Sequence, residues 1–173
     1  MPVDIKPENI FLTWDEHGEL FVKLLDFGVA KRLKKGPQLF NTEHGAIVGT
    51  PYYMSPEQAT GKLDTVDRRT DVWGLGTTLY HALSGAPPFA GKSVPELLKA
   101  IIENDPVPLP EKDPSIHQDL DIVCRKAMEK NPDDRYRTAT DFARDLRLYL
   151  SGEPIRATSP GLFKRTGRWV SRY

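Results

Sequence analysis

The stretch VDIKPENIFL, residues 3 to 12, places Asp4, Lys6 and Asn9 close together and then turns apolar. An acid, an ammonium and an amide so spaced can form an ordinary polar turn before a strand. They can equally form a catalytic loop. Asp26-Phe27-Gly28 stands at the end of the next apolar run. The glycine lets the backbone turn sharply there, and the carboxylate becomes an oxygen ligand of the kind a hard cation takes. The D-x-K-x-x-N spacing alone is too common to decide between the two readings. The order of the motifs downstream of it decides.

After Asp26 comes a long loop that closes with Gly49-Thr-Pro-Tyr-Tyr-Met-Ser-Pro-Glu57. Asp71-Val-Trp-Gly-Leu-Gly76 then opens an apolar helix, and Arg135 follows Asn131-Pro-Asp-Asp. This series resembles the C-terminal lobe of the Hanks-type protein kinases, especially the bacterial serine/threonine kinases, over roughly residues 3 to 150. The resemblance implies a mainly α fold, a helical bundle with a short β-hairpin carrying the catalytic loop (3–9) and the Asp-Phe-Gly motif. It also implies transfer of the ATP γ-phosphate to a Ser or Thr hydroxyl of a protein substrate.

Such transfer is chiefly positioning and charge stabilisation. Asp4 is similar to the carboxylate that aims the hydroxyl and takes its proton. Lys6 is similar to the lysine that serves the charge on the phosphoryl group, and at that offset it marks serine/threonine specificity. Asn9 and Asp26 are similar to the oxygen donors that hold Mg2+ on ATP. Residues 26–57 resemble an activation segment. In it Thr42 is a candidate for phosphorylation, or else a solvated loop threonine, and Thr50 resembles the threonine that bonds the catalytic Asp and Lys. Glu57 is expected to pair with Arg135 and Asp71 to accept bonds from the backbone near residues 2 to 4; all three are structural assignments. Ser55 replaces the alanine of the usual Ala-Pro-Glu.

Two departures matter. Pro2 and Val3 stand where the family has His and Arg, so the arginine expected to neutralise an activation-segment phosphate is missing. These 173 residues also hold no glycine-rich loop, no lysine for the ATP phosphates and no helix glutamate to pair with it. All of these belong to the N-terminal lobe, which normally lies in the same chain. A truncated form with little or no activity alone is the expectation. The alternative is a non-catalytic kinase-like module that binds protein partners.

The elements must position these groups. Asn9 to Thr13 and Leu20 to Leu25 read as strands joined by a turn at 15–18. Residues 26–57 carry no helical periodicity. Asp71 to Leu83 reads as a helix apolar on most sides, stopped by Gly85 and two prolines. Ser93-Val-Pro-Glu96 reads as a capping box for a helix to about Asn104. Ser115-x-x-Gln118 opens another helix, with Leu120, Val123, Ala127 and Met128 inward. Thr138 caps a third, which ends before Gly152 and Pro154. Trp73, Phe89 and Tyr136 are assigned to the core, as is Cys124. The four histidines lack metal-ligand spacing.

The totals fit one domain with a core: 39% of residues are hydrophobic and the formal charge is zero. That balance gives no reason to expect nucleic acid. It is uneven, however, because residues 151–173 carry a net +4. Leu162, Phe163, Trp169, Val170 and Tyr173 fall at helical spacing among those basic residues. Residues 155–173 are therefore expected either to reach an anionic membrane surface beside the domain or to remain a disordered or lobe-packed tail. A single cysteine fits a reducing compartment. The expected location is cytoplasmic, including the cytoplasmic side of a membrane protein.

Overall fold

The computed structural model describes residues 5–25 and 51–158. Strand β1 (Ile10–Trp14) pairs antiparallel with β2 (Leu20–Leu24), with Ile10 opposite Leu24 and Trp14 opposite Leu20. The turn between them is built on Asp15. Its Oδ1 accepts from the amides of His17 and Glu19, both at 2.8 Å, as short acidic side chains do in tight turns. The hairpin buries little. Phe11, Leu12, Trp14, Leu20, Phe21 and Val22 are all at least half exposed.

The second described segment is helical: α1 (Pro56–Ala59), α2 (Arg68–Ser84), α3 (Val94–Glu103), α4 (Leu109–Lys112), α5 (Gln118–Ala127) and α6 (Ala139–Leu150). Helix α2 is the axis. Val72, Trp73, Thr77 and Tyr80 on it are fully buried. Two apolar clusters flank it. One gathers Trp73, Tyr80, Phe89, Leu97, Ile101 and Met128. The other gathers Val72, Val123, Ala127, Tyr136, Phe142 and Ala157. A helix between two cores needs apolar or small residues on most faces.

Helix α2 starts earlier than the periodicity suggests. Asp67 caps it, its carboxylate accepting from the Arg69 amide at 2.8 Å, so Asp71 lies in the first turn instead of opening the helix. It ends at Gly85, whose φ of 72° suits glycine and strains other residues. At Ser93 the cap forms, but the box does not close on itself: the Glu96 carboxylate accepts from Lys92, one residue before the cap. Helix α5 is capped by His117, whose Nδ1 accepts from the Asp119 amide at 3.2 Å, and not by Ser115. The Ser115 hydroxyl and amide instead both donate to Asp113. Thr138 caps α6 by accepting from the Asp141 amide.

Helices α2 and α5 approach closely because Gly76 has no side chain. A Cβ there would lie 2.6 Å from the Ala127 Cβ and 3.3 Å from the Met128 Cγ. Neither neighbour can withdraw without opening one of the two clusters. Gly76→Ala is therefore expected to lower the unfolding free energy by about 1–3 kcal/mol. A urea titration followed by circular dichroism checks this, and an unchanged midpoint would contradict the packing.

Candidate active site

The chemistry-bearing segment sits where the hairpin leaves the helical body. Ile5 is buried and rests on α2 at Gly74. A Cβ on that glycine would stand 3.0 Å from the Ile5 Cβ and 3.2 Å from the Ile5 carbonyl. Asp71 lies one helical turn before Gly74, on the same face. The backbone it is expected to hold, residues 2 to 4, lies outside the described residues. After Ile5, Lys6 leads into a 3-10 turn, Pro7–Asn9, closed by the Asn9 amide donating to the Lys6 carbonyl at 3.0 Å. Pro7 supplies a fixed φ at the first position of that turn.

Asn9 then enters the hairpin. Its carbonyl accepts from the Leu25 amide at 2.8 Å, extending the ladder one pair below Ile10 and Leu24. The bond brings the backbone just before Asp26 beside Asn9. Asp4, Asp26, Thr42 and Thr50 themselves lie outside the described residues, as does the segment 26–50.

Towards the end of the expected activation segment, residues 51–57 are fastened to the helices. Ser55 caps α1 and shares a complete capping box with Gln58, so the end of the expected loop is a short helix. Tyr53 is buried, and its hydroxyl lies 2.7 Å from His81 Nδ1 with the two rings stacked. Burial, and then the negative field of Glu8 in the 3-10 turn, push the Tyr53 phenol above its ordinary range. Sequence patterning assigns neither Tyr53 nor His81 a role. The residues are 28 apart, so no helical or strand period links them.

The Glu57 carboxylate meets Arg135 in a two-pronged pair, Nη1 to Oε1 at 2.8 Å and Nη2 to Oε2 at 2.7 Å. Thr70 also donates to Glu57 Oε1, at 2.8 Å. Arg135 is 3% exposed. Its remaining donors reach carbonyls of Glu129, Arg69 and Lys130 at 2.8, 3.1 and 3.2 Å. Burial works to raise the Glu57 pKa, and the Arg135 guanidinium more than offsets it, holding the carboxyl below its ordinary range. Trp73, Phe89 and Tyr136 are core residues. The first two stack, with Arg135 5.1 Å from the Trp73 ring and Lys130 4.1 Å from the Phe89 ring. Cys124 is fully buried, and burial pushes its thiol well up, which removes it as a nucleophile.

Among the described residues no cluster of His, Cys, Asp or Glu could hold a metal. No described helix is long and apolar enough to cross a membrane. In the tail, Ile155 and Ala157 pack on the second cluster, while residues 159–173, with the amphipathic pattern, lie outside the described residues.

A helical body that carries a hairpin and seats the segment from Ile5 to Asn9 on its central helix is the architecture expected of the large lobe of a protein kinase. Residues 1–145 match the protein kinase domain family. Over 154 residues the chain is 40% identical to the serine/threonine-protein kinase PknB of Mycobacterium leprae, covering 89% of this chain and 24% of that protein. It is also 40% identical over 148 residues to the tyrosine-protein kinase MasK of Myxococcus xanthus, covering 86% of this chain and 22% of that one. Among solved structures, a Rad53 complex with AMP-PNP superposes with a TM-score of 0.56 at 26% identity, covering 77% of this chain and 30% of that chain. The chain belongs to the protein kinase family, in its Hanks-type bacterial branch, and spans about a quarter of the length of the curated relatives it matches.

Removing Arg135 strands a buried carboxylate. Arg135→Ala is expected to cost about 3–5 kcal/mol, and Arg135→Lys must also destabilise because one ammonium cannot replace five fixed donors. Because the folded-state pKa of Glu57 is lowered, its contribution is complete above the ordinary value of 4.5. It is lost as pH falls through the folded value. Unfolding free energies of the wild type and Glu57→Gln, measured across acid pH, should converge as pH falls. A gap that stays constant would exclude this ionisation as the cause.

Proposed function

We propose that these residues form the catalytic and substrate-holding half of an ATP-dependent protein serine/threonine kinase. The observation that carries the reading is the bond from the Leu25 amide to the Asn9 carbonyl at 2.8 Å. It supports Asn9 and Asp26 as neighbouring donors at the base of one hairpin. An amide oxygen and a carboxylate suit Mg2+, which takes hard oxygen ligands and draws the rest of its shell from water and phosphate. Bound there, Mg2+ would balance charge on the ATP phosphates.

The chain's own residues have separate tasks. Asp4 aims the acceptor hydroxyl and takes its proton. Lys6, turned into the same loop by Pro7, faces the developing negative charge. Thr50 ties the activation segment to this loop. Glu57 and Arg135 hold the far end of that segment on the body, and Tyr53, four residues earlier, fastens it to α2. Thr42 is the position at which phosphorylation would act on the segment. Ser/Thr specificity rests on Lys6 and on the resemblance to PknB.

Residues 1–173 contain no glycine-rich phosphate loop, so these residues alone transfer phosphate little or not at all. A longer polypeptide that places a nucleotide-covering lobe ahead of them is the active form. The test is transfer of radiolabel from ATP to serine, threonine and tyrosine peptides, with magnesium or with EDTA. In the longer form, Asp4→Asn should reduce transfer by at least about a hundredfold, and labelling should favour serine and threonine. Preferential labelling of tyrosine would overturn the specificity. Full activity in Asp4→Asn would overturn the assignment of the base. Vigorous, magnesium-dependent labelling by residues 1–173 alone would overturn the need for a second lobe.

A further inference from the structure

The family match ends at residue 145, yet the packed chain does not. Beyond α6 the backbone turns at Ser151 and Gly152, whose amides donate to the carbonyls of Arg147 and Tyr149. It then doubles back across the body. Ile155 packs against the second cluster, and Ala157, 5% exposed, is part of it.

The return is fixed by one carboxylate. Asp145 is 1% exposed. Its Oδ1 accepts from the Arg156 amide at 2.9 Å. Its Oδ2 accepts from the Ala157 amide and from the Tyr136 hydroxyl, both at 2.9 Å. None of these donors is a cationic side chain. A carboxylate buried without a counter-cation is costly unless its lone pairs are taken up. Here two of the three donors come from the returning segment. Without that segment Asp145 would keep one bond, and the apolar side chains under Ile155 and Ala157 would meet water. The carboxylate and the segment therefore require each other.

We propose that residues 151–158 are a carboxy-terminal latch, closed by Asp145 and Tyr136 over the cluster of Val72, Val123, Tyr136 and Phe142. The functional body then ends after Ala157 and not at Leu150, and the basic stretch beyond it leaves from a fixed point beside α6. The latch needs a carboxylate specifically. Asparagine offers one oxygen: its NH2 would face the Arg156 amide in one orientation, or the Ala157 amide and the Tyr136 hydroxyl in the other, so one backbone donor always loses its acceptor. This proposal is independent of whether the chain transfers phosphate.

Hydrogen exchange of the full chain, read at single amides, tests it. In the wild type, Arg156 and Ala157 should exchange at least about a hundredfold more slowly than in an unstructured peptide. Exchange at the peptide rate would overturn the proposal without any variant. Asp145→Asn should speed exchange of at least one of the two amides, whereas Tyr136→Phe, which removes only one of the three donors and neither amide, should leave them protected. Undiminished protection in Asp145→Asn would also overturn the latch. Should that variant fail to fold, Ala157→Pro removes one donor and leaves the carboxylate in place. It should then speed exchange at Arg156 and increase binding of an apolar dye, and no change in either would count against the latch.

Discussion

The buried guanidinium of Arg135 is the constraint on which the rest of this lobe depends. A permanently charged group at 3% exposure is tolerable only where every donor is used. Here the five N–H groups reach two carboxylate oxygens of Glu57 and three backbone carbonyls. Those acceptors come from separate parts of the chain: α1, the first turn of α2, and the residues just after α5. The pair is therefore a register for three elements. Its net contribution to stability, against an apolar replacement of equal volume, is small or unfavourable. What it supplies is a single allowed arrangement, because any slip of one element strands a charge.

Helix α2 gives that register something to act on. The helix buries Trp73 and Tyr80 towards one cluster and Val72 towards the other, so it cannot rotate without exposing one of them. Its glycines set the distances: Gly76 admits α5 and Gly74 admits Ile5. The second contact matters for chemistry. Ile5 lies between the expected base and Lys6, so the same helix that organises the core also sets the height of the loop. A buried helix is a stiff support, and catalytic geometry needs one.

Much of this is legible in the sequence where the signal is local. The hairpin follows from two short apolar runs on either side of an Asp-Glu-His-Gly turn. The caps at Ser93 and Thr138 follow from short polar side chains before apolar periodicity. The Glu57–Arg135 pairing can be named only through the family resemblance, because 78 residues separate them. The misses have physical causes. Asp67 caps α2 in a polar stretch where hydrophobic periodicity has not begun. His117 displaces Ser115 as a cap because Asp113 captures the serine hydroxyl. The short helix α4 is held by a tertiary contact, the buried Asp121 accepting from the Leu109 amide at 2.8 Å, which no local pattern announces. Asp145 gives no signal of its own, because a carboxylate in an amphipathic helix ordinarily reads as solvated and its partners lie on both sides of α6 in sequence.

The hairpin shows where the support stops. Its base is tied to the body through Ile5 and its ladder is extended by the Asn9–Leu25 bond, but its outer strands expose large apolar side chains on both faces. A two-stranded ribbon is marginal in water by itself, and exposed apolar ribbon is a surface that other polypeptide can cover. The helical body therefore fixes the positions nearest Lys6 and Asn9 while leaving the surface above them open. On the kinase reading proposed above, Lys6 and Asn9 belong to the supported part. Groups that enclose a nucleotide would then come from whatever covers the ribbon, for which the helices supply only the base.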